Sequence, residues 1–144
     1  MSQITVTRTI DAPVEMVFRT ISDITHFSKA VPDIVDVDFL SEVKSGVGTQ
    51  FRETRNMNGR EVKTELEVTE FKENDHIRLV SDTSGTVWDS IFTVREDNGR
   101  TLLTLVMDAK PYKLLPKVTN PLMKSFIKKA LEKDMDAVKK YCER

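Results

Sequence analysis

Residues 50–71 read QFRETRNMNGREVKTELEVTEF, and this stretch decides the fold. Asn58-Gly59 sits near its centre. A two-residue hairpin loop needs positive φ at both central positions, and Asn followed by Gly tolerates that best. Such a loop sets Arg55 opposite Val62, Glu53 opposite Thr64 and Phe51 opposite Leu66. The other face then carries Arg52 opposite Glu65, Thr54 opposite Lys63 and Gln50 opposite Glu67, a solvated pattern with compatible charges. A slip of one residue would turn every side chain to the wrong face.

The same logic extends along the chain. Asn98-Gly99 is a second strong hairpin signal, Ser84-Gly85 a weaker one and Glu73-Asn74 weaker still. As two-residue loops these set Val68 opposite Leu79, Leu79 opposite Ser90, and Ile77 opposite Phe92. They also set Phe92 opposite Leu105, Val94 opposite Leu103 and Ser90 opposite Met107. One face of one antiparallel sheet thereby collects Phe51, Val62, Leu66, Val68, Ile77, Leu79, Trp88, Phe92, Leu105 and Met107. The polar exceptions on that face are Glu53, Arg55, Thr64, Ser81 and Ser90, while Asp89 and Asp108 fall on the opposite, solvated face.

Upstream, residues 3–10 alternate Ile4, Val6 and Ile10 with Thr5, Thr7 and Thr9, which predicts a strand with one buried face. Asp11 offers an N-cap and Pro13 suits a first helical turn. Val14, Val17, Phe18 and Ile21 follow at helical spacing, and a second short helix covers residues 24–30, stopped by Pro32. Downstream, Val118, Leu122, Phe126, Ala130, Ala137, Val138 and Tyr141 recur every three or four residues. Pro116, Asn120 and Pro121 start this helix between residues 113 and 121. Its run to Cys142 is about 22 residues, or about 33 Å at the α-helical rise.

Composition bounds the function. The chain has 144 residues, the size of one domain, with 39% hydrophobic and 31% charged residues, which fits a globular protein. A net charge of −1 argues against a nucleic-acid partner. One cysteine, Cys142, makes no internal disulfide or thiolate cluster and reads as an apolar filler. His26 and His76 lack metal-ligand spacing, and His26 reads as a surface residue. No metal and no cofactor is expected. No apolar stretch reaches membrane-spanning length and no leader opens the chain, so a soluble, cytoplasmic protein is expected. Charge is uneven. Residues 112–144 carry nine basic and four acidic side chains, +5, against −6 for the rest. Lys113, Lys117, Lys124 and Lys128 could share an outer stripe, either a solvated face or a transient contact with an anionic membrane.

The opening ITVTRTIDAPVEMVFRTISDITHFSKAVPDI resembles the start of the SRPBCC (START-like) superfamily. A strand leads to Ile10, Ala12 and Pro13, then Val17 and Phe18, Asp23, Phe27 and Pro32. VGTQFRE, NGREVKTELEVTEF and TLLTLVMDAKP resemble strands of its polyketide cyclase/dehydrase and lipid-transport branch. The resemblance covers essentially residues 1–144 and implies a single α+β domain of helix-grip fold. In that fold a curved antiparallel seven-stranded sheet wraps a long C-terminal helix, with two short helices after the first strand. It also implies an apolar cavity for a small hydrophobic or amphipathic ligand such as a lipid, polyketide or quinone. It carries no shared catalytic motif, so no catalytic residue transfers.

The candidate ligand-binding residues are Phe51, Glu53, Arg55, Thr64, Leu66, Leu79, Ser81, Trp88, Ser90, Phe92, Leu105 and Met107 from the sheet. Leu122, Met123 and Phe126 join them from the helix. The competing reading is ordinary core. Arg55 either snorkels to solvent with Glu53 or anchors an acidic ligand, and Glu53 as a general base is a third reading. A binding or transport protein, monomer or homodimer, ranks above a cyclase/aromatase-like enzyme or a co-chaperone-like interaction module. The scarcity of ionisable groups on the cavity face sets that order.

Overall fold

The structure, a computed structural model, describes residues 2–113 and 121–144. Strand β1 (Ser2–Ile10) leads into helices α1 (Val14–Ser22) and α2 (Ile24–Ala30). Six strands follow: β2 (Ile34–Phe39), β3 (Gln50–Met57), β4 (Arg60–Lys72), β5 (His76–Thr83), β6 (Thr86–Asp97) and β7 (Arg100–Pro111). Helix α3 (Pro121–Cys142) closes the chain. The strands form one curved antiparallel sheet of order β1-β7-β6-β5-β4-β3-β2. This is the expected helix-grip architecture. Residues Val118, Pro116, Lys117 and Asn120 lie outside the described residues.

The hairpins set the register. Asn58 and Gly59 have φ of 55° and 83°, Ser84 and Gly85 54° and 85°, Asn98 and Gly99 51° and 81°. These are the paired positive values of a type I′ loop. Arg55 faces Val62, Glu53 faces Thr64 and Phe51 faces Leu66. Ile77 faces Phe92, Leu79 faces Ser90, and Ser90 faces Met107. Val68 faces Leu79 as expected, but by another route. Lys72 pairs with His76, so the β4–β5 turn has three residues, 73–75, rather than two. A bulge at Thr69 then takes up the extra residue and restores the register.

Two local expectations change. Pro13, not Asp11, occupies the N-cap of α1 and makes no side-chain cap bond. The Asp11 backbone N–H instead donates to Glu143 Oε2 at 2.8 Å, tying the end of β1 to the end of α3. Asp23 does cap α2, accepting from the Thr25 backbone N–H at 2.9 Å. On the outer sheet face Asp89 is not solvated. It is 7% exposed and accepts from Arg78 Nε at 2.8 Å, Arg78 Nη2 at 2.6 Å and Lys110 Nζ at 3.0 Å. Arg78 supplies the largest effect, outweighing burial, and Lys110 adds to it, so the Asp89 pKa falls to about 2. Asp108, its cross-strand neighbour, is half-buried rather than solvated.

The buried stripe of α3 is Leu131, Met135, Val138 and Cys142, alternating steps of four and three. It packs into a core with Val6, Ile10, Val17, Ile21 and Leu103. Val17, Leu103 and Val138 are wholly buried, and each such side chain contributes about 1.5–3 kcal/mol of transfer energy. Cys142 is fully inside and its thiol donates to Thr20 Oγ1 at 3.4 Å. The end of α3 from Met135 onward therefore lies in solid core, and residues 126–134 border a hollow.

Candidate functional site: a cavity between the sheet and helix α3

A cavity of about 360 Å³ lies between the concave face of β3–β7 and the middle of α3. That falls in the ordinary range for small-molecule sites. Alternation along each strand puts its wall together. From β3 come Phe51, Glu53, Arg55 and Met57, and from β4 come Thr64, Leu66 and Val68. Strand β5 adds Ile77, Leu79, Ser81 and Thr83, β6 adds Trp88, Ser90 and Phe92, and β7 adds Leu105 and Met107. Ile21, Ser22, Ile24 and Phe27 close one side from α1 and α2. Helix α3 supplies Phe126, Ile127, Ala130, Leu131 and Asp134. At the rim stand exposed Lys44 and Ser45 and half-exposed Phe126.

The structure thus brings together all twelve sheet residues singled out above, together with Phe126. It does not bring Leu122 or Met123. Leu122 is 80% exposed, Met123 is 37% exposed, and neither lines the cavity. The hollow borders residues 126–134, so the first turn of α3 lies beyond it. Val62 continues the same sheet face but is exposed near the hairpin tip, also outside the lining.

The charged end of the cavity is a three-residue cluster. Arg55 Nε donates to Glu53 Oε1 at 2.8 Å and Nη1 donates to Asp134 Oδ1 at 2.9 Å. The side chains are 19%, 11% and 13% exposed, so Arg55 does not snorkel to solvent. Burial opposes the guanidinium charge, yet the two carboxylates outweigh it and raise the Arg55 pKa. Asp134 is pulled the other way. Its burial exceeds the attraction of Arg55, and its carboxyl titrates above the usual range, with Asp33 adding repulsion. Arg55 keeps its charge throughout, because a guanidinium does not deprotonate in a protein. At the other side of the cavity Ser81 and Thr83 satisfy each other, Oγ to Oγ1, at 2.8 Å.

Asp134 is the member that sequence reading misses. Its signal is its place four and eight residues after Ala130 and Phe126, on the helix face that turns inward. Nothing in this cluster resembles a metal centre. Among the described residues no group of three His, Cys, Asp or Glu side chains could hold a metal ion. No helix among them is long and apolar enough to cross a membrane.

Residues 1–143 match the family model for polyketide cyclase/dehydrase and lipid transport proteins. The chain belongs to that family. Within its wider fold, the chain superposes on the Zhui aromatase/cyclase from Streptomyces sp. R1128 with a TM-score of 0.82. The two are 18% identical, and the match covers 99% of this chain and 94% of that one. A START superfamily protein from Mycobacterium smegmatis gives 0.79 at 18% identity, covering 98% and 97%. The ginseng major latex-like protein 151 from Panax ginseng gives 0.80 at 12% identity, covering 99% and 98%. At these identities the likeness is one of fold. No curated protein matches the chain in sequence.

Proposed function

We propose that this chain, acting as a single domain over residues 1–144, binds or carries a small hydrophobic or amphipathic molecule in the cavity between its sheet and α3. Lipids, polyketides and quinones are the ligand classes that such a site suits. One observation carries the reading: a hollow of about 360 Å³ whose wall is largely aliphatic and aromatic, with one charged cluster at one end. Filling that space with side chains would stabilise the fold, since each lost methylene of packing costs about 1 kcal/mol. An open hollow in a chain this small has a use that offsets that cost. Native mass spectrometry of the purified protein, followed by organic extraction, tests it. A stoichiometric amphiphile released on denaturation supports the reading. A protein that stays empty after exposure to lipid, quinone and polyketide mixtures overturns it.

A cyclase-like activity is the second reading, and Asp134 favours it. A buried carboxyl whose pKa is raised by burial, held beside a fixed guanidinium, is suited to proton transfer. Turnover of a polyketide that disappears in Asp134→Asn, with binding retained, would favour this reading over simple carriage.

The exposed lysines of α3 fit a delivery role. Lys124 and Lys128 are exposed on the helix that carries Phe126, so brief contact of α3 with an anionic membrane would bring the cavity near a lipid source.

A further inference from the structure

The polar end of the cavity holds two carboxyl groups and one guanidinium, so acidic groups outnumber cations there. Arg55 is the buried cation of the lining, and its Nε and Nη1 are already taken by Glu53 and Asp134. The other lining cation, Lys44, is exposed at the rim, with its ammonium 5.6 Å from the Phe39 ring centroid. Each carboxylate meets Arg55 through one oxygen only. Among the described residues, Glu53 Oε2 and Asp134 Oδ2 have no hydrogen-bond partner, and neither has Arg55 Nη2. Glu53 is 8% exposed and lines the cavity, so its spare oxygen is an unmet acceptor at the cavity wall.

Such a cluster presents acceptors and one donor within a small space. A hydroxyl can answer both, donating to a carboxylate oxygen and accepting from Nη2. A ligand carboxylate answers only one of them: it can accept from Nη2 but has no proton for the carboxylate oxygen, and it meets like charge in a site where charges are poorly screened. Displacing Asp134 or Glu53 from Arg55 would strand a buried charge. This argues against the sequence-based alternative in which Arg55 anchors an acidic ligand.

Resting on the ligand-binding reading above, we infer that the cavity selects amphiphiles with an uncharged, hydroxyl-bearing polar end and rejects carboxylates of the same chain. The deciding experiment measures affinities of decanol and decanoate at neutral pH by displacement of a fluorescent apolar probe. It uses the wild-type protein and the Glu53→Gln/Asp134→Asn double variant. Decanol should bind wild-type protein at least about ten-fold tighter than decanoate. In the double variant, where Arg55 is left uncompensated, the preference should narrow or reverse. Asp134→Asn alone, a milder change, should move decanoate the same way. Decanoate binding wild-type protein as tightly as decanol, or a preference unmoved by either variant, would overturn the inference while leaving a binding cavity. Failure of both compounds to displace the probe would overturn the binding reading with it.

Discussion

Arg55 Nη1 lies 2.9 Å from Asp134 Oδ1, joining strand β3 to helix α3 across 79 positions of chain. The contact places a charge pair inside the fold, where each member depends on the other. Burying an ion pair is seldom a net gain, but removing one partner leaves an uncompensated charge. Asp134→Ala should therefore lower stability by about 3 kcal/mol, the low end for a broken buried pair, because Glu53 still holds Arg55. Urea denaturation of the single variants and of Glu53→Leu/Arg55→Met/Asp134→Leu, which removes the whole cluster so that no charge is stranded, checks this. The triple variant should recover most of the loss. A triple variant as unstable as the singles would mean that the cluster fixes the fold rather than serving the cavity.

A second pair acts on the outer face. Asp89 is pulled to about 2 from an ordinary 3.8, mainly by the Arg78 hydrogen bonds. Because the folded state depresses this pKa, the stabilisation is fully present above about pH 3.8 and is lost as pH falls through about 2. Asp89→Asn should reduce stability at neutral pH by roughly 1–2 kcal/mol and flatten the loss across that acid window. The effect is held to this size because Arg78 and Lys110 remain partly exposed. Thermal melts from pH 7 down to pH 2 measure it. Parallel acid profiles for variant and wild type would contradict the assignment.

The hairpins explain why most of the fold is legible in the sequence. Asn58-Gly59 and Asn98-Gly99 demand a left-handed backbone at two successive positions, and that local demand fixes the pairing of the long strands β3–β4 and β6–β7. The β4–β5 connection is harder to read. Its three-residue turn and the bulge at Thr69 cancel, and a bulge leaves no mark in a pattern of alternating residues. The cavity wall follows from register, so its sheet side is legible. Its helix side is less so. Periodicity places residues on a face but does not say where a helix leaves the sheet, which is why Leu122 and Met123 read as inward-facing. Asp134 is concealed by its neighbours: in LEKDMDAVKK it looks like one more solvated charge, and only the approach of β3 buries it beside Arg55.

The proposed membrane contact can be tested at the exposed lysines Lys124 and Lys128. Lys124→Gln/Lys128→Gln should weaken binding to vesicles containing phosphatidylserine by about 2 kcal/mol, or about thirty-fold, at low salt. The cavity affinity for a soluble amphiphile should not change, because neither lysine lines the hollow. Vesicle sedimentation checks the first part. Equal sedimentation of variant and wild type would leave ligand uptake to the aqueous phase.

Trp88 is the chain's one tryptophan and it lines the cavity, so its emission reports directly on what the hollow contains. Ser90, two residues on along β6 and facing the same hollow, is the place to fill it. The measurement that bears most directly on the central claim is a titration of Trp88 fluorescence with decanol in wild-type protein and in Ser90→Leu. We predict a saturable change in wild type and at least a ten-fold weaker response in Ser90→Leu, whose added side chain occupies the space at little cost in stability, within about 1 kcal/mol. No saturable change in wild type, or the same titration curve in both proteins, would contradict the assignment of the cavity as a ligand site.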